Sequence, residues 1–220
     1  MTGLFDAVRK SKSRMLVLAI GVVLAAGLGT SAAIWGPEFF APGQPAKAAN
    51  TASSTDKAAD AASKALPAGF SQLRNDQAGI ALAYPSTWTK LTPKDPQILL
   101  LIAQGTQDSV LVRASELQEA VGPQQMPAAR QVTDKLVMSN KTVQMITEPK
   151  QIELGGLPGF FYFYSFKDTG TGQEGAHSHF FLFNGKTMIS MVFQTLPRER
   201  FASTAPTFDK IAASFHAVKK

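Results

Sequence analysis

Beyond residue 68, patterns of alternating positions with a period of two recur along the chain, the signature of strands. Ile80, Leu82 and Tyr84 alternate with Gly79, Ala81 and Ala83 before Pro85 ends the run. Gln97–Gln104 is almost continuously apolar, which suits a strand covered on both sides. Gly105–Asp108 reads as a turn and Ser109–Ser115 as the returning strand. Val143–Thr147 and Gln151–Leu154 read as two short strands, or as one interrupted at Pro149. Phe160–Phe166 is an aromatic strand, and a glycine-rich loop, Thr169–Gly175, follows it.

Asn184-Gly185 between two alternating runs is a hairpin signal and predicts a two-residue type I′ turn. That register sets Phe183 opposite Lys186, Phe181 opposite Met188 and His179 opposite Ser190. Leu182, Phe180, Ile189, Met191 and Phe193 then share an apolar face that should meet the main core. The other face mixes His177, His179, Lys186 and Ser190 with Phe181, Phe183 and Met188, and is expected to be partly solvated or lightly covered.

Two stretches change to helical period. Pro127–Ser139 opens with a proline, tolerated in a first turn, and sets Val132 and Leu136 on its buried side. A second helix is predicted over Thr204–Phe215, capped by Thr204, with Pro206 in its first turn and Phe208, Ile211, Ala212 and Phe215 as its stripe. Sequential hairpin-connected strands with interspersed helices predict an α+β fold, an antiparallel β-sheet flanked by helices, over residues 68–218.

Four features occur in order along this region: Tyr84-Pro85-x-x-Trp88 after a strand, Gly156-Leu157-Pro158-Gly159 before the aromatic strand, Asn184-Gly185-Lys186, and Phe208-x-x-Ile211-x-x-Ser214-Phe215. In that order they resemble the PsbP/Mog-type α/β/α sandwich family over about residues 70–216. The resemblance implies a non-catalytic module that docks onto other proteins or assemblies. Some bacterial members of that family look like lipoproteins with an N-terminal cysteine, whereas this chain has no cysteine at all.

The N-terminal region has a different pattern. Met15–Trp35 is a 21-residue apolar run without a charge. As a helix rising about 1.5 Å per residue, it matches the roughly 30 Å hydrocarbon core of a bilayer. Arg9, Lys10, Lys12 and Arg14 precede it, so the positive-inside rule leaves residues 1–14 in the cytoplasm and the rest of the chain outside. Trp35, Phe39 and Phe40 suit the outer interface. The expectation is a single-pass transmembrane helix over 15–35, a signal anchor. The competing reading is a signal peptide cleaved near Ala33 or Ala49, which would release a secreted domain. Residues 36–67 are rich in Ala, Ser, Thr, Lys and Asp, are punctuated by Pro37, Pro42, Pro45 and Pro67, and read as a flexible linker reaching roughly 30 Å.

Charge changes this picture little. Residues 1–67 hold seven basic and four acidic side chains, and residues 68–220 hold fifteen and twelve, so each part carries +3 of the total +6. Without a basic cluster on the folded region, no nucleic-acid partner is expected. The absence of cysteine excludes disulfides, thiolate metal sites and a cysteine nucleophile.

His177-x-His179 is the one metal candidate, because alternate strand positions set both imidazoles on one face; His216, Glu174 or Asp168 could supply a third ligand. The alternative is a pair of ordinary polar residues. Phe160–Phe166 is read as core rather than as a ligand platform, and Arg198-Glu199-Arg200 as an exposed turn or a charged docking spot. Neither Gly-x-Ser-x-Gly nor His-Glu-x-x-His occurs. No cofactor and no catalytic residue is expected. The function expected from sequence is a membrane-anchored, extracytoplasmic protein-binding or scaffolding module of a bacterial envelope, whose partner is another envelope protein. The alternatives are an envelope carrier or sensor for a lipid or a metal and, further off, a hydrolase or transferase.

Overall fold

The computed structural model describes residues 66–105 and 108–218. The apolar run 15–35, the cations before it and the linker up to residue 65 lie outside the described residues, as do positions 106–107 of the expected turn. Among the described residues no helix is long and apolar enough to cross a membrane.

In chain order the elements are β1 (Phe70–Asn75), β2 (Ile80–Pro85), β3 (Thr89–Lys90), β4 (Ile98–Gln104), β5 (Asp108–Glu116), α1 (Met126–Met138), β6 (Gln144–Leu154), β7 (Leu157–Lys167), β8 (Glu174–Asn184), β9 (Thr187–Thr195), α2 (Phe201–Ser214) and β10 (His216–Ala217). β3-β4-β5-β9-β8-β7-β6 form a seven-stranded sheet and β1-β2-β10 a three-stranded one. Every pairing is antiparallel. The fold is therefore α+β, as the pattern predicts. β5 pairs with β9 rather than with its successor, so α1 and β6–β8 are carried out and back between two central neighbours.

Each face of the large sheet has its own core. On one, Leu100, Ile102, Val110, Val112, Leu182, Ile189, Met191 and Phe193 pack against Ile80 and Leu82 of β2 and Phe208 and Ile211 of α2. Trp88 meets the Phe208 ring edge-on at 6.2 Å, and Phe193 lies 5.2 Å from it. On the other, Phe160, Tyr162, Tyr164, Phe166, Phe181, Phe183 and Met188 pack against Met126, Ala129 and Val137 of α1. β4 is buried on both sides, since Leu101 falls on the α1 face between Ile102 and Leu100.

Several expectations are corrected. The β8–β9 register is shifted by two residues: Asn184 faces Thr187, Phe183 faces Met188, Phe181 faces Ser190 and His179 faces Val192. The loop is Gly185-Lys186, because positive φ (60°) at its first position falls to glycine, while Asn184 stays in the ladder and donates its Nδ2–H to the Ala78 carbonyl at 3.2 Å. An even shift leaves every side chain on its expected face. The turn with positive φ at both positions is Gly155-Gly156 (59° and 83°), joining β6 to β7. β6 is one strand, passing Pro149 with two register shifts; as an edge strand it can carry a proline.

The helices also differ from expectation. α1 buries Met126, Ala129, Thr133 and Val137, and Val132 and Leu136 lie at the margin of that stripe. α2 begins three residues before Thr204, which is buried within it and donates to the Arg200 carbonyl at 3.1 Å instead of capping the helix. Pro206 accordingly lies inside the helix, past its first turn.

Candidate functional site

The expected solvated face of β8 is buried: Phe181, Phe183, Met188 and His177 are each less than 5% exposed. Its polar groups tolerate burial because they bond to one another, as a dry interior requires. Register brings Tyr164, His177 and Gln194 into one row across β7, β8 and β9. His177 Nε2 lies 2.8 Å from Gln194 Oε1, and its Nδ1 lies 3.2 Å from the Tyr164 hydroxyl. The same hydroxyl lies 3.1 Å from His179 Nδ1, and His179 Nε2 lies 2.7 Å from Ser190 Oγ. All four ring nitrogens are thus engaged.

Phenyl rings bracket the chain. Phe166 lies 4.2 Å from the His177 ring, and Phe181 stacks on His179 at 3.9 Å. Gly175 makes room for Phe166: a Cβ there would stand 2.5 Å from its ring. The two ends differ, since His177 and Gln194 are buried while His179 and Ser190 keep part of their surface.

Burial pushes the His177 imidazole down to about 4, against the opposing hydrogen bond from Gln194. His179 is held well below its ordinary value, first by burial and then by its proximity to His177. Burial raises the Tyr164 phenol. Both rings are neutral near pH 7. With Gln194 Oε1 as an acceptor, His177 carries its proton on Nε2 and accepts from Tyr164 at Nδ1. Tyr164 accepts from His179 Nδ1–H, and Ser190 donates to His179 Nε2.

A second polar group ties α1 to the sheet. Tyr162, which faces His179 across the ladder, lies 2.6 Å from Thr133 Oγ1 and donates to Asp134 Oδ1 at 2.8 Å. Asp134 accepts from Arg130 Nε at 2.7 Å, and that guanidinium lies 5.5 Å from the Phe160 and Tyr162 ring centres. On the opposite flank Arg113, the ladder partner of Ser190, bonds Gln97 Oε1 at 2.5 and 3.1 Å and lies 3.2 Å from Asp95.

The structure brings His177 and His179 together, but the third ligands named for a metal are engaged elsewhere. His216 Nδ1 lies 2.9 Å from the Ser214 carbonyl, Glu174 pairs with Arg198 at 2.9 Å, and Asp168 accepts from Thr171 at 2.7 Å. Among the described residues no group of three such side chains could hold a metal ion. The Arg198-Glu199-Arg200 segment is a 3₁₀ turn leading into α2, where Arg200 pairs at 2.5 Å with the fully buried Asp108. Asp108 Oδ1, Ser109 Oγ and Thr195 Oγ1 are buried without a partner. Arg9, Lys10, Lys12, Arg14 and Trp35 lie outside the described residues.

Ser190 on His179 has the form of a nucleophile–base pair. Behind Nδ1, however, stands a neutral phenol, which supplies no negative charge to stabilise an imidazolium. Tyr164, Gln194 and Thr133 were not legible as parts of this site. Tyr164 and Gln194 could have been found only from the β7–β8–β9 register, and Thr133 only from the stripe that α1 buries.

No known family matches the chain, and no curated protein does. Solved structures are similar to it in outline. Cyanobacterial PsbP (CyanoP) from Synechocystis sp. is 14% identical, with 70% of this chain and 95% of that one covered and a TM-score of 0.48. The Ran-binding protein Mog1p of Saccharomyces cerevisiae is 11% identical, with 68% and 96% covered and a TM-score of 0.47. LpqN of Mycobacterium tuberculosis, described as involved in cell envelope biogenesis, is 13% identical, with 64% and 83% covered and a TM-score of 0.45.

Proposed function

We propose that the chain is a membrane-anchored, extracytoplasmic, non-catalytic protein-binding module of a bacterial envelope, with a PsbP/Mog-type domain held clear of the bilayer by a linker. The observation that carries this reading is the 21-residue uncharged run Met15–Trp35 behind four cations. The folded region supports the binding role in two ways. The polar side chains of Tyr164, His177, His179, Ser190 and Gln194 bond to one another rather than being aimed at a substrate. On the opposite face, Phe161, Phe163, Phe180 and Phe201 are only partly buried and form paired rings at 4.8 and 4.6 Å, an aromatic surface of the kind interfaces favour. The motif order supports the finer assignment, with Trp88 and Phe208 in one aromatic cluster and Asn184 bonded to the β1–β2 turn.

The test is fractionation of the intact chain. It should remain in the membrane after carbonate washing, with residues 68–218 cleaved by protease added outside. Leu18→Arg with Val23→Arg should release it from the membrane. An unprocessed chain found in the soluble fraction, with its folded part protected from external protease, would overturn the placement. The binding role is tested separately by photocrosslinking from positions 161 and 163. One adduct of reproducible size that is absent from position 90 is expected, and equal labelling at all three positions would count against it.

A further inference from the structure

The geometry points to a proton-binding site in which Ser190, His179, Tyr164, His177 and Gln194 act as one relay, entered from solvent at His179 and able to hold a single additional proton. The hydrogens these side chains supply match the links between them. Each of the four links needs one: Ser190 Oγ to His179 Nε2, His179 Nδ1 to Tyr164, Tyr164 to His177 Nδ1, and His177 Nε2 to Gln194 Oε1. Neutral serine, two neutral imidazoles and a phenol supply one each, all pointing from Ser190 towards Gln194.

An added proton enters at the open end. It binds His179 Nε2, which then donates to Ser190 Oγ, while the serine hydroxyl turns its own hydrogen to solvent. No link is lost. From there the charge can move inward. His179 Nδ1 gives its hydrogen to the phenol oxygen as the phenol gives its own to His177 Nδ1. One N–H and one O–H bond break, one O–H and one N–H bond form, and the imidazolium is now His177, still donating to Gln194. A second proton cannot be held in this way. Both Nδ1–H groups would point at one phenol oxygen, the phenol hydrogen would have no acceptor, and two cations would share a dry pocket.

Arg130, Asp134 and Arg113 on the packed elements are committed to partners. Arg130 and Asp134 of α1 pair at 2.7 Å behind Tyr162. Arg113 of β5 is held by Asp95 and Gln97 beside Ser190. Phe166 and Phe181 close the flanks. The other charged side chains of β7 and β8 are Lys167 and Glu174, both exposed at the strand ends, with Glu174 paired to Arg198, so no carboxylate bonds either ring to fix the proton there.

The test is imidazole ¹⁵N resonance of the full chain from pH 7.5 down to about pH 3, with Tyr164→Phe and Gln194→Glu as variants. In the unaltered chain both rings should move through one shared step. Tyr164→Phe should split it into two independent curves. Gln194→Glu should raise the first midpoint by about one pH unit and place the charge on His177, because a carboxylate then faces Nε2. Should Tyr164→Phe fail to fold, the Gln194→Glu shift carries the test. Independent titration of the two rings in the unaltered chain would overturn the relay, and so would a Gln194→Glu midpoint equal to that of the unaltered chain.

Discussion

The two faces of the seven-stranded sheet are buried to a similar degree and held together differently. The α2 face is aliphatic: Ile80, Leu82, Val110, Val112, Leu182, Ile189, Met191 and Ile211 meet around a few rings, and none of them carries a polar side-chain atom. The α1 face is built from Phe160, Tyr162, Tyr164, Phe166, Phe181 and Phe183, threaded by the imidazoles and hydroxyls of His177, His179, Thr133 and Ser190. The first is stabilised by area removed from water, which depends on volume and little on pH. The second adds directional bonds, so it is specific in geometry and vulnerable to any proton that disturbs them.

The largest expected effect is a cavity on the α2 face. Phe208 touches Trp88, Phe193 and Phe201, and Phe208→Ala should destabilise the fold by about 3–5 kcal/mol in denaturant titration. That loss should be the same at pH 7.5 and pH 5.5. A loss that grows markedly with acidity would break the distinction between the faces.

Acid is the corresponding probe of the α1 face. Both histidines are held below the ordinary value of about 6.5 that they regain on unfolding, so the unfolded chain takes up protons first. The stability contributed by neutral burial is therefore complete above about pH 6.5 and falls as pH drops. For His177 the fall levels off near pH 4, where the folded form is protonated too. The slope is about 1.4 kcal/mol per pH unit for each proton taken up. His177→Phe should flatten that part of the profile, and an unchanged slope would show that burial of this ring is not its cause.

Tyr162→Phe is intermediate. It removes the hydroxyl between Thr133 and Asp134, leaves the buried Thr133 with only its bond to the Arg130 carbonyl, and should cost about 1–2 kcal/mol. Hydrogen exchange should speed up in α1 more than in α2, because the bond lost is the one between α1 and the sheet.

What the sequence made legible follows the same division. The face of every β8 and β9 side chain could be read from alternation alone, and it survives a register error of two because side chains repeat every two residues. The α2 core was legible because aliphatic residues signal burial without ambiguity. The α1 face was read as half-solvated because histidine, serine and threonine look exposed until their partners are known, and those partners come from β7, β9 and α1, distant in sequence. Thr204 looks like a cap by residue type, yet the 3₁₀ turn Arg198–Arg200 had already started the helix. β10 has two residues and no pattern of its own; it exists because β2 offers Ala81 and Ile80 an open ladder position.

The smallest effect separates the two ends of the hydrogen-bonded chain. Ser190→Ala deletes the donor at His179 Nε2, a bond of 2.7 Å. In a sealed interior, losing one partner would leave an unsatisfied nitrogen and cost about 1–3 kcal/mol. Here Ser190 and His179 both keep part of their surface, so water can replace the hydroxyl, and the cost should stay near 0.5 kcal/mol. Gln194→Leu removes the acceptor at the buried end, where no water reaches His177 Nε2, and should cost several times more. Denaturant midpoints of the two variants measured together decide the matter. Equal losses would mean that the chain is closed at both ends, and that the His179 edge does not admit solvent.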